Sequence, residues 1–160
     1  MDISSSRRVE KVRLDELSDS LGFLLRLAQL RAFEDFFSDR GPRGLKPGEF
    51  SVLWVIARNP GIRQSVLGQR LMIKRAHMTK LIRALEDLGL VSRRTPEADR
   101  RAVELTLTAS GRRMVETSST QFFSYEDTTG DPLSDGERAQ LISLLQKYVG
   151  LGEDGRDEHR

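Results

Sequence analysis

The hydrophobic positions between Met78 and Leu107 change from a helical to a strand-like period. Up to residue 88 they follow the i, i+3, i+4, i+7 spacing of one buried helix face, at Met78, Leu81, Ile82, Leu85 and Leu88. Gly89 ends this pattern, as glycine commonly does just after a helix. Two short apolar runs follow, at 90–94 and 102–107, around turn-forming residues at 95–99. A helix followed by such a hairpin predicts a winged helix-turn-helix.

Two longer apolar patterns flank this module. From about residue 13 to 39 the first predicts a helix with one apolar stripe, at positions 14, 17, 21, 24, 25, 28, 32 and 36, and with further apolar residues beside it. A helix that is apolar on two sides must contact its own domain and something else, so we expect a second subunit there. Burial within the one chain is the alternative. Near the C-terminus, Ser134 and Glu137 form a capping box that opens a second amphipathic helix.

Positive charge is concentrated on the predicted module. Residues 58–113 hold 13 Lys and Arg residues against 5 Asp and Glu residues, a balance of +8, whereas the whole chain is +2 and the remainder sums to −6. A basic segment inside an otherwise acidic chain is typical of a surface that neutralises nucleic-acid phosphates. A solvated basic face without a partner is the alternative, and the winged-helix order favours nucleic acid.

The predicted fold is mainly α with a small β-hairpin wing, a winged helix-turn-helix with N- and C-terminal dimerisation helices. Its parts are an N-terminal dimerisation helix in residues 1–42, a DNA-binding winged helix-turn-helix at 45–110, C-terminal dimerisation helices at 111–150 and a disordered tail at 151–160. The first C-terminal helix is expected from about residue 109 to between 120 and 125. All parts belong to one structural domain, which suits a chain of 160 residues.

Other function classes lack the residues they need. The chain has no cysteine and two histidines, His77 and His159, so no disulfide and no metal site is expected. It has no glycine-rich phosphate loop and no Gly-x-Ser-x-Gly motif, so we expect neither an enzyme nor a cofactor. A charged N-terminus and the presence of Arg26 within the apolar run 21–30 argue against a signal peptide and a membrane span. The expected location is a bacterial cytoplasm.

The polar face of the predicted recognition helix carries short and cationic side chains. Turning about 100° per residue away from the apolar stripe reaches four candidates for base readout, Ala76, Thr79, Lys80 and Arg83. The short side chains suit a thymine methyl or a base edge, and the cations suit guanine acceptors or a phosphate. Arg75 and His77 lie at the edges of this face, where phosphate contact is favoured. For His77 the alternative is a bystander.

Several motifs resemble those of the MarR family of bacterial transcription regulators. They are Leu45-Lys-Pro-Gly-Glu-Phe50, Leu85-Glu-Asp-Leu-Gly-Leu-Val91, and Asp99-Arg-Arg101 leading to Leu107-Thr-Ala-Ser-Gly111. The family's Asp-x-Arg wing motif falls on Asp99 and Arg101, and the spacing to Leu-Thr-x-x-Gly agrees. The resemblance covers most of the chain. It implies an obligate dimer, triangular in shape, whose recognition helices enter the major groove and whose wings enter minor grooves, and a repressor relieved by a ligand.

Two helix starts depart from the family pattern. Where family members place Ser, Thr or Asp, this chain has Lys46 and Lys74. Both helices then lack a side-chain cap, which is worth typically about 1 kcal/mol. Lys74 and Arg75 are instead placed for phosphate contact, with a tolerated surface change as the alternative.

The predicted wing carries four arginines, Arg93, Arg94, Arg100 and Arg101. We expect one wing arginine to enter a narrow minor groove, where the negative potential is enhanced, and Asp99 to orient it through a bidentate pair. The resemblance implies that Arg101 pairs with Asp99 or enters the groove. The sequence leaves open whether Arg100 or Arg101 enters it.

The resemblance also places effectors where the dimerisation helices meet the DNA-binding lobe. The corresponding candidates are Phe23, Arg26, Leu27, Leu30, Phe33 and Trp54. An apolar site with a nearby arginine suits an aromatic carboxylate or an aryl coenzyme A thioester, with Arg26 on the anion. The alternatives are solvation for Arg26 and core packing for Trp54, which shares a helix face with other apolar residues.

We therefore expect a homodimer that binds double-stranded DNA at a palindromic operator. Its two half-sites would lie about 10 base pairs apart, or a multiple of that spacing. A small-molecule effector would release the dimer from this DNA. The alternative is a winged-helix protein-interaction module, which predicts a neutral or acidic recognition face; Lys80 and Arg83 oppose it.

Overall fold

A computed structural model of the chain describes residues 12–37, 44–128 and 133–151. Within these ranges a 3-10 helix, Asp15–Asp19, precedes six α-helices and three strands. In chain order they are α1 (Leu21–Phe37), α2 (Pro47–Arg58), β1 (Ile62–Arg63), α3 (Gln64–Arg70), α4 (Arg75–Asp87), β2 (Val91–Arg94), β3 (Glu104–Leu107), α5 (Ala109–Thr128) and α6 (Asp135–Tyr148). The strands form one antiparallel sheet in the order β1-β3-β2. The predicted mainly α, winged helix-turn-helix fold is confirmed.

The core lies where α2 packs against α5, the sheet and the helix-turn-helix. Its fully buried side chains are apolar, and they are Phe50, Val52, Leu53, Ile56, Leu67, Met78, Ile82, Leu85 and Leu105. Removal of this apolar surface from water is the main term that stabilises the fold. The stripe predicted for α4 therefore supplies three core residues, while Leu81 is half-buried and Leu88 exposed.

The two helices of the helix-turn-helix approach each other closely at Gly68. A Cβ atom at this buried position would lie 3.2 Å from the carbonyl oxygen of Ile73 and 3.8 Å from the side chain of Met78. The Gly68 carbonyl also accepts a hydrogen bond from the Ile73 N–H at 2.8 Å. This contact fixes how α3 presents α4.

The end of the recognition helix is set by Gly89, which adopts a φ of +69°. Glycine adopts this left-handed conformation readily. The conformation lets the N–H groups of Gly89 and Leu90 bind the last free carbonyl groups of the helix. The Leu90 N–H donates to the Leu85 carbonyl at 3.0 Å and the Gly89 N–H to the Glu86 carbonyl at 2.8 Å. Leu90 then enters the core, and the chain continues directly into β2.

The Leu-Thr-x-x-Gly motif joins the wing to α5. The Thr108 hydroxyl accepts the Gly111 N–H at 3.0 Å and donates to the Gly89 carbonyl at 2.6 Å. Thr108 thereby caps α5 and ties it to the end of α4. A Cβ atom at Gly111 would overlap the Leu90 carbonyl oxygen, so this approach requires glycine. The motif is therefore a packing joint between three elements.

The N-terminal helix predicted from about residue 13 to 39 is interrupted. The 3-10 helix ends at Asp19, Ser20 has extended backbone with a ψ of 114°, and α1 begins at Leu21. The Ser20 carbonyl accepts the first hydrogen bond of α1, from the Leu24 N–H at 2.9 Å. Serine is a favoured residue at this position before a helix. Residues 38 and 39 of the predicted helix lie outside the described residues, as do residues 1–11 and 38–42 of the predicted N-terminal region at 1–42.

Three further boundaries complete the comparison with the sequence prediction. The structure extends α5 to Thr128, beyond its predicted end, and starts α6 with the predicted capping box at Ser134. The strand β1 has no counterpart in the prediction, because two residues are too few to carry a period. Of the predicted tail at 151–160, only Leu151 falls within the described residues.

The terminal helices keep large apolar side chains exposed. On α1 these are Leu21, Leu24, Leu27, Leu30 and Phe33, each between 39% and 55% exposed. On α6 they are Leu141, Ile142, Leu144 and Tyr148. Apolar surface on this scale is typical of an interface with another molecule. Among the helices the structure describes, none is both long and apolar enough to cross a membrane.

Candidate nucleic-acid interface

The exposed face of α4 carries the residues predicted to read bases. Ala76, Lys80 and Arg83 are exposed, and Thr79 is half-buried. On the opposite side, Met78, Ile82 and Leu85 anchor the helix in the core. Arg75 and His77, the predicted phosphate contacts, are also exposed. The buried apolar side chains therefore fix the orientation of α4, and its polar face points to solvent.

The N-terminus of α4 has no side-chain cap, as the presence of lysine predicts. Lys74 precedes the helix with extended backbone and makes no capping hydrogen bond. The first N–H groups of a helix carry partial positive charge and favour anions. Lys74 and Arg75 add full positive charges at the same end, which makes this end attractive to a phosphate.

The start of α2 differs, although it too begins after a lysine. There the Glu49 carboxylate accepts a hydrogen bond from the backbone N–H of Lys46 at 2.9 Å. This acidic first turn also complements the helix dipole. One half of a capping box therefore replaces the missing side-chain cap of α2, whereas the first turn of α4 contains no acidic residue.

The hydroxyl of Thr79 is already engaged within the protein. It donates to the Arg75 carbonyl at 2.9 Å and accepts from the amide Nε2 of Gln64 at 3.2 Å. These bonds turn the hydroxyl towards its own helix and α3. For base readout by Thr79, contact through its methyl group is therefore favoured over a hydroxyl hydrogen bond.

The four wing arginines divide into two pairs. On β2, Arg93 forms an ion pair with Glu86 of α4, and Arg94 forms one with Glu104, its cross-strand partner, at 2.8 Å. In the turn, Arg100 and Arg101 are exposed, and no described acidic side chain lies within ion-pair distance of either. The two turn arginines therefore keep their charge available, while the charge of Arg94 is offset by Glu104.

Asp99 does not form the predicted bidentate pair with a wing arginine. Its Oδ1 accepts the backbone N–H of Arg101 at 3.2 Å, and its Oδ2 lies 3.5 Å from a guanidinium nitrogen of Arg63. The prediction was wrong because the backbone turn brings the amide of Arg101, rather than its side chain, to the carboxylate. Arg63 was missed because it lies far away in the sequence.

An open cleft separates the helix-turn-helix from the wing. It has a volume of about 680 Å³ and is lined by Gln64, Ser65, Gly68, Gln69, Ile73, Arg75, Met78, Arg101 and Val103. Arg75, at the start of α4, and Arg101, in the wing, both line this cleft. Two cations that face one groove can hold a polyanion between them.

The residues predicted to line an effector site lie on two helices. Phe23, Arg26, Leu27, Leu30 and Phe33 are on α1, and of these only Phe23 is half-buried. Trp54 is on α2, half-buried, and belongs to a cluster of rings with Phe50, Phe122 and Phe123. None of the six lines the cleft between helix-turn-helix and wing. Their role as a binding site stays a prediction.

The packing interpretation of Trp54 has direct support. Its ring centroid lies 5.0 Å from that of Phe123, in an edge-to-face arrangement, and 5.8 Å from that of Phe50. The guanidinium carbon of Arg58 lies 4.5 Å from the ring centroid, at cation–π distance. Trp54 thus joins α2 to α5.

Comparisons with known proteins agree with this geometry. The model of the MarR family matches residues 43–102. A candidate transcriptional regulatory protein for the hcr operon of Thauera aromatica is 34% identical over 132 residues, which cover 82% of this chain and 80% of that protein. The chain belongs to the MarR family. The resemblance inferred from the motifs is confirmed.

Two solved structures show how closely this MarR-family chain follows a known repressor. The transcriptional repressor CouR, bound to a 23-mer DNA duplex, matches with a TM-score of 0.78 and 35% identity, over 87% of this chain and 99% of CouR. CouR bound to p-coumaroyl-CoA matches with a TM-score of 0.77 and 33% identity, over 87% and 98%. MarR-family proteins are DNA-binding transcription regulators rather than enzymes.

Proposed function

We propose that this chain is a homodimeric repressor that binds a palindromic operator in double-stranded DNA and leaves it when a small aromatic effector binds. The observation that carries the DNA part is the set of exposed cations just before α4, on α4 and in the wing turn, which are Lys74, Arg75, Lys80, Arg83, Arg100 and Arg101. No described acidic side chain pairs with any of them. Cations whose charge is not offset inside the chain are available to neutralise phosphates.

The exposed apolar faces of α1 and α6 support the dimer. A helix face lined by Leu24, Leu27 and Leu30 gains little by remaining in water, and a second copy of the same surface can cover it. Two-fold symmetry would then present two recognition helices to one side of a duplex. A palindromic operator is the DNA sequence that matches such a pair.

The effector is proposed to be an aromatic carboxylate or an aryl coenzyme A thioester. Its support is the similarity to CouR, which is described in complex with p-coumaroyl-CoA. The apolar residues of α1 and the exposed Arg26 offer aromatic contacts and one positive charge on the same helix. An anion with an aryl group matches both.

Release from DNA requires that the effector prefer one dimer conformation. A compound that binds only one separation of the two wings shifts the dimer away from the state that fits the operator. By linkage, DNA must then weaken effector binding by the same factor. Equal affinity of the effector for free and operator-bound protein would rule this mechanism out.

The test is a fluorescence-anisotropy titration of the purified protein against DNA upstream of its own gene, with nonspecific competitor present. A panel of aromatic acids and their coenzyme A thioesters is then added to the complex. We expect specific binding, with release by one member or class of the panel. Specific binding that no compound relieves would leave the DNA part standing and remove the proposed effector class.

The second candidate is a winged-helix module that binds another protein. It predicts a neutral or acidic recognition face, and the exposed Lys80 and Arg83 of α4 oppose it. Absence of specific binding to any upstream duplex would favour this candidate.

A further inference from the structure

We infer that Arg63 and Gln64 act as a clamp that fixes the distance between the wing and the recognition helix, and so determine how well the protein fits its operator. This inference rests on the proposed DNA-binding function. The two residues are adjacent at the start of α3, yet their side chains bind different elements. Arg63 reaches the wing turn and Gln64 reaches α4.

The arm formed by Arg63 holds the wing turn. A guanidinium nitrogen of Arg63 lies 3.5 Å from Oδ2 of Asp99, whose Oδ1 accepts the backbone N–H of Arg101 at 3.2 Å. The Asp99 carbonyl also accepts the N–H of Ala102 at 3.0 Å. Asp99 is therefore the residue around which the turn is folded, and Arg63 connects it to the helix-turn-helix.

The arm formed by Gln64 holds the recognition helix. Its Nε2 donates to the Thr79 hydroxyl at 3.2 Å, and that hydroxyl donates to the carbonyl of Arg75 at 2.9 Å. The contact reaches the first turn of α4, where the predicted phosphate and base contacts begin. Gln64 is half-buried, which limits competition from water.

The base of the clamp is part of the sheet. The Gln64 N–H donates to the Val103 carbonyl at 2.8 Å, and Arg63 pairs with Glu104 in the ladder between β1 and β3. Backbone hydrogen bonds to the sheet hold the base of the clamp in place. The side chains of Arg63 and Gln64 therefore extend from a fixed point and can set the positions of the wing turn and α4. The cleft between them is lined by Gln64, Arg75 and Arg101.

The consequence concerns fit rather than charge. A duplex that contacts α4 and the wing at once requires both at one spacing, and a small misplacement costs specific contacts. Nonspecific binding depends on the number of phosphates neutralised and tolerates a range of spacings. Loss of the clamp should therefore weaken operator binding and leave nonspecific binding unchanged.

The Arg63 arm is tested with Arg63→Gln, Asp99→Asn and the double variant. Asn retains an oxygen that accepts the N–H of Arg101 and removes the charge that attracts Arg63. An exposed ion pair contributes at most about fivefold, so we expect each single variant to weaken operator binding by up to about fivefold per clamp and up to about 25-fold in a dimer that carries two. The double variant should lose no more than either single variant, because both remove the same interaction.

The sign of the Asp99→Asn effect separates positioning from simple electrostatics. Removal of a negative charge from a DNA-facing surface should tighten binding if charge alone matters, whereas the clamp predicts weaker binding. Arg63→Gln should also leave the salt dependence of operator binding unchanged, since a positioning residue releases no counterions. A tighter Asp99→Asn complex, additive losses, or a salt slope reduced by about one per protomer would overturn the inference in favour of a direct phosphate contact.

The Gln64 arm has its own pair of variants. Gln64→Ala removes the donor, and Thr79→Val removes the acceptor while keeping a side chain of similar shape. We expect each to weaken operator binding and the combination to add nothing further. Fully additive losses would show that Gln64 does not act through Thr79.

The matched control is Arg13→Gln. Arg13 and Asp15 also form an exposed Arg–Asp ion pair, at 2.9 Å, but lie outside the helix-turn-helix. We expect this variant to bind like the wild type, and Arg63→Lys to retain most of the operator affinity that Arg63→Gln loses. If the wild type itself shows no preference for any upstream duplex, the proposed function fails. If it does bind and Arg63→Gln behaves like the control, the clamp alone is contradicted.

Discussion

Arg83 and Arg101 are both exposed on the proposed DNA-binding side, but they belong to elements that we propose meet different features of DNA. Arg83 lies on the outer face of α4, where a side chain can reach base edges in the major groove. Arg101 lies in the wing turn, where the backbone N–H rather than the side chain binds Asp99. Its guanidinium is therefore available for a phosphate or a minor groove.

We predict that replacement of these arginines by alanine separates specificity from overall affinity. Arg83→Ala should cost about 1–3 kcal/mol at the base pairs it reads and relax specificity there. Arg101→Ala should weaken binding to all sequences and lower the salt slope by about one per protomer, while Asp99 keeps its bond to the backbone. Salt-dependent titrations on operator and random duplexes provide the measurement. Equal losses by both variants on random DNA would contradict this division.

Met72, in the turn between α3 and α4, has a φ of +54° and is 86% exposed. Left-handed backbone costs a residue with a Cβ atom about 1–2 kcal/mol, and glycine avoids this cost but loses more chain entropy on folding. Met72→Gly should therefore raise the free energy of unfolding by about 0.5–1 kcal/mol, measured by urea denaturation. Met72→Ala keeps the Cβ atom and should give no such gain; an equal gain would point to the exposed side chain instead.

At the scale of single residues, helical periodicity was sufficient to identify the exposed face of α4. An amphipathic helix buries its apolar stripe, and this leaves only the opposite face exposed. It was not sufficient to pair Asp99. Its partner, Arg63, follows α2 and precedes α3, and only the meeting of β1 with β3 brings the two together. The same holds for Gln64 and Thr79, which the fold joins across the helix-turn-helix. Pairings of this kind depend on tertiary structure and carry no local pattern.

At the scale of elements, the joint between β3 and α5 depends on Gly111. We predict that Gly111→Ala destabilises the fold by about 3 kcal/mol, the upper part of the range for overpacking, because the new Cβ would overlap the Leu90 carbonyl oxygen. Gly136→Ala is the control: it lies in α6 with no atom within 4 Å of the added Cβ, and should be neutral or slightly stabilising. Thermal denaturation of the two variants compares them directly. Equal midpoints would refute the packing joint.

The stability of α6 depends on pH through a carboxylate in its first turn, that of Glu137. The hydroxyl and the backbone N–H of Ser134 both donate to the Glu137 carboxylate, and they hold its pKa below the ordinary value of 4.5. Because the folded pKa is lowered, this stabilisation is complete above the ordinary pKa and is lost as the pH falls through the folded value. Glu137→Gln should therefore lower the thermal midpoint at neutral pH, with a difference from wild type that shrinks below pH 4.5. A difference that stays constant with pH would contradict this account.

Among the elements, the sequence predicted those that have either a long hydrophobic period or a clear capping or stop signal. The capping box at Ser134 and the stop at Gly89 appear where they were expected. The break at Ser20 was missed because the apolar positions continue through it at helical spacing. That spacing predicted one continuous helix, although serine is a common residue at the start of a helix. The short strand β1 was missed because its pairing partner, β3, supplies its structure.

At the scale of the whole molecule, the arrangement of charge and apolar surface supports the proposed dimer bound to DNA. One set of exposed cations without described acidic partners lies at α4 and in the wing turn, and one set of exposed large apolar side chains lies on α1 and α6. One surface suits a polyanion and the other suits a second copy of the chain. The sequence predicted both surfaces from composition and periodicity, whereas the proposed effector site would depend on how two copies meet.

Hydroxyl-radical footprinting of the protein on DNA upstream of its own gene tests the central claim most directly. A dimer that presents two recognition helices should protect two half-sites related by a dyad, with centres about 10 base pairs apart or a multiple of that spacing. Protection should require both halves, so that mutation of one half-site weakens binding to the whole. A single asymmetric half-site, bound at full affinity without its mate, would contradict the dimeric operator-binding account.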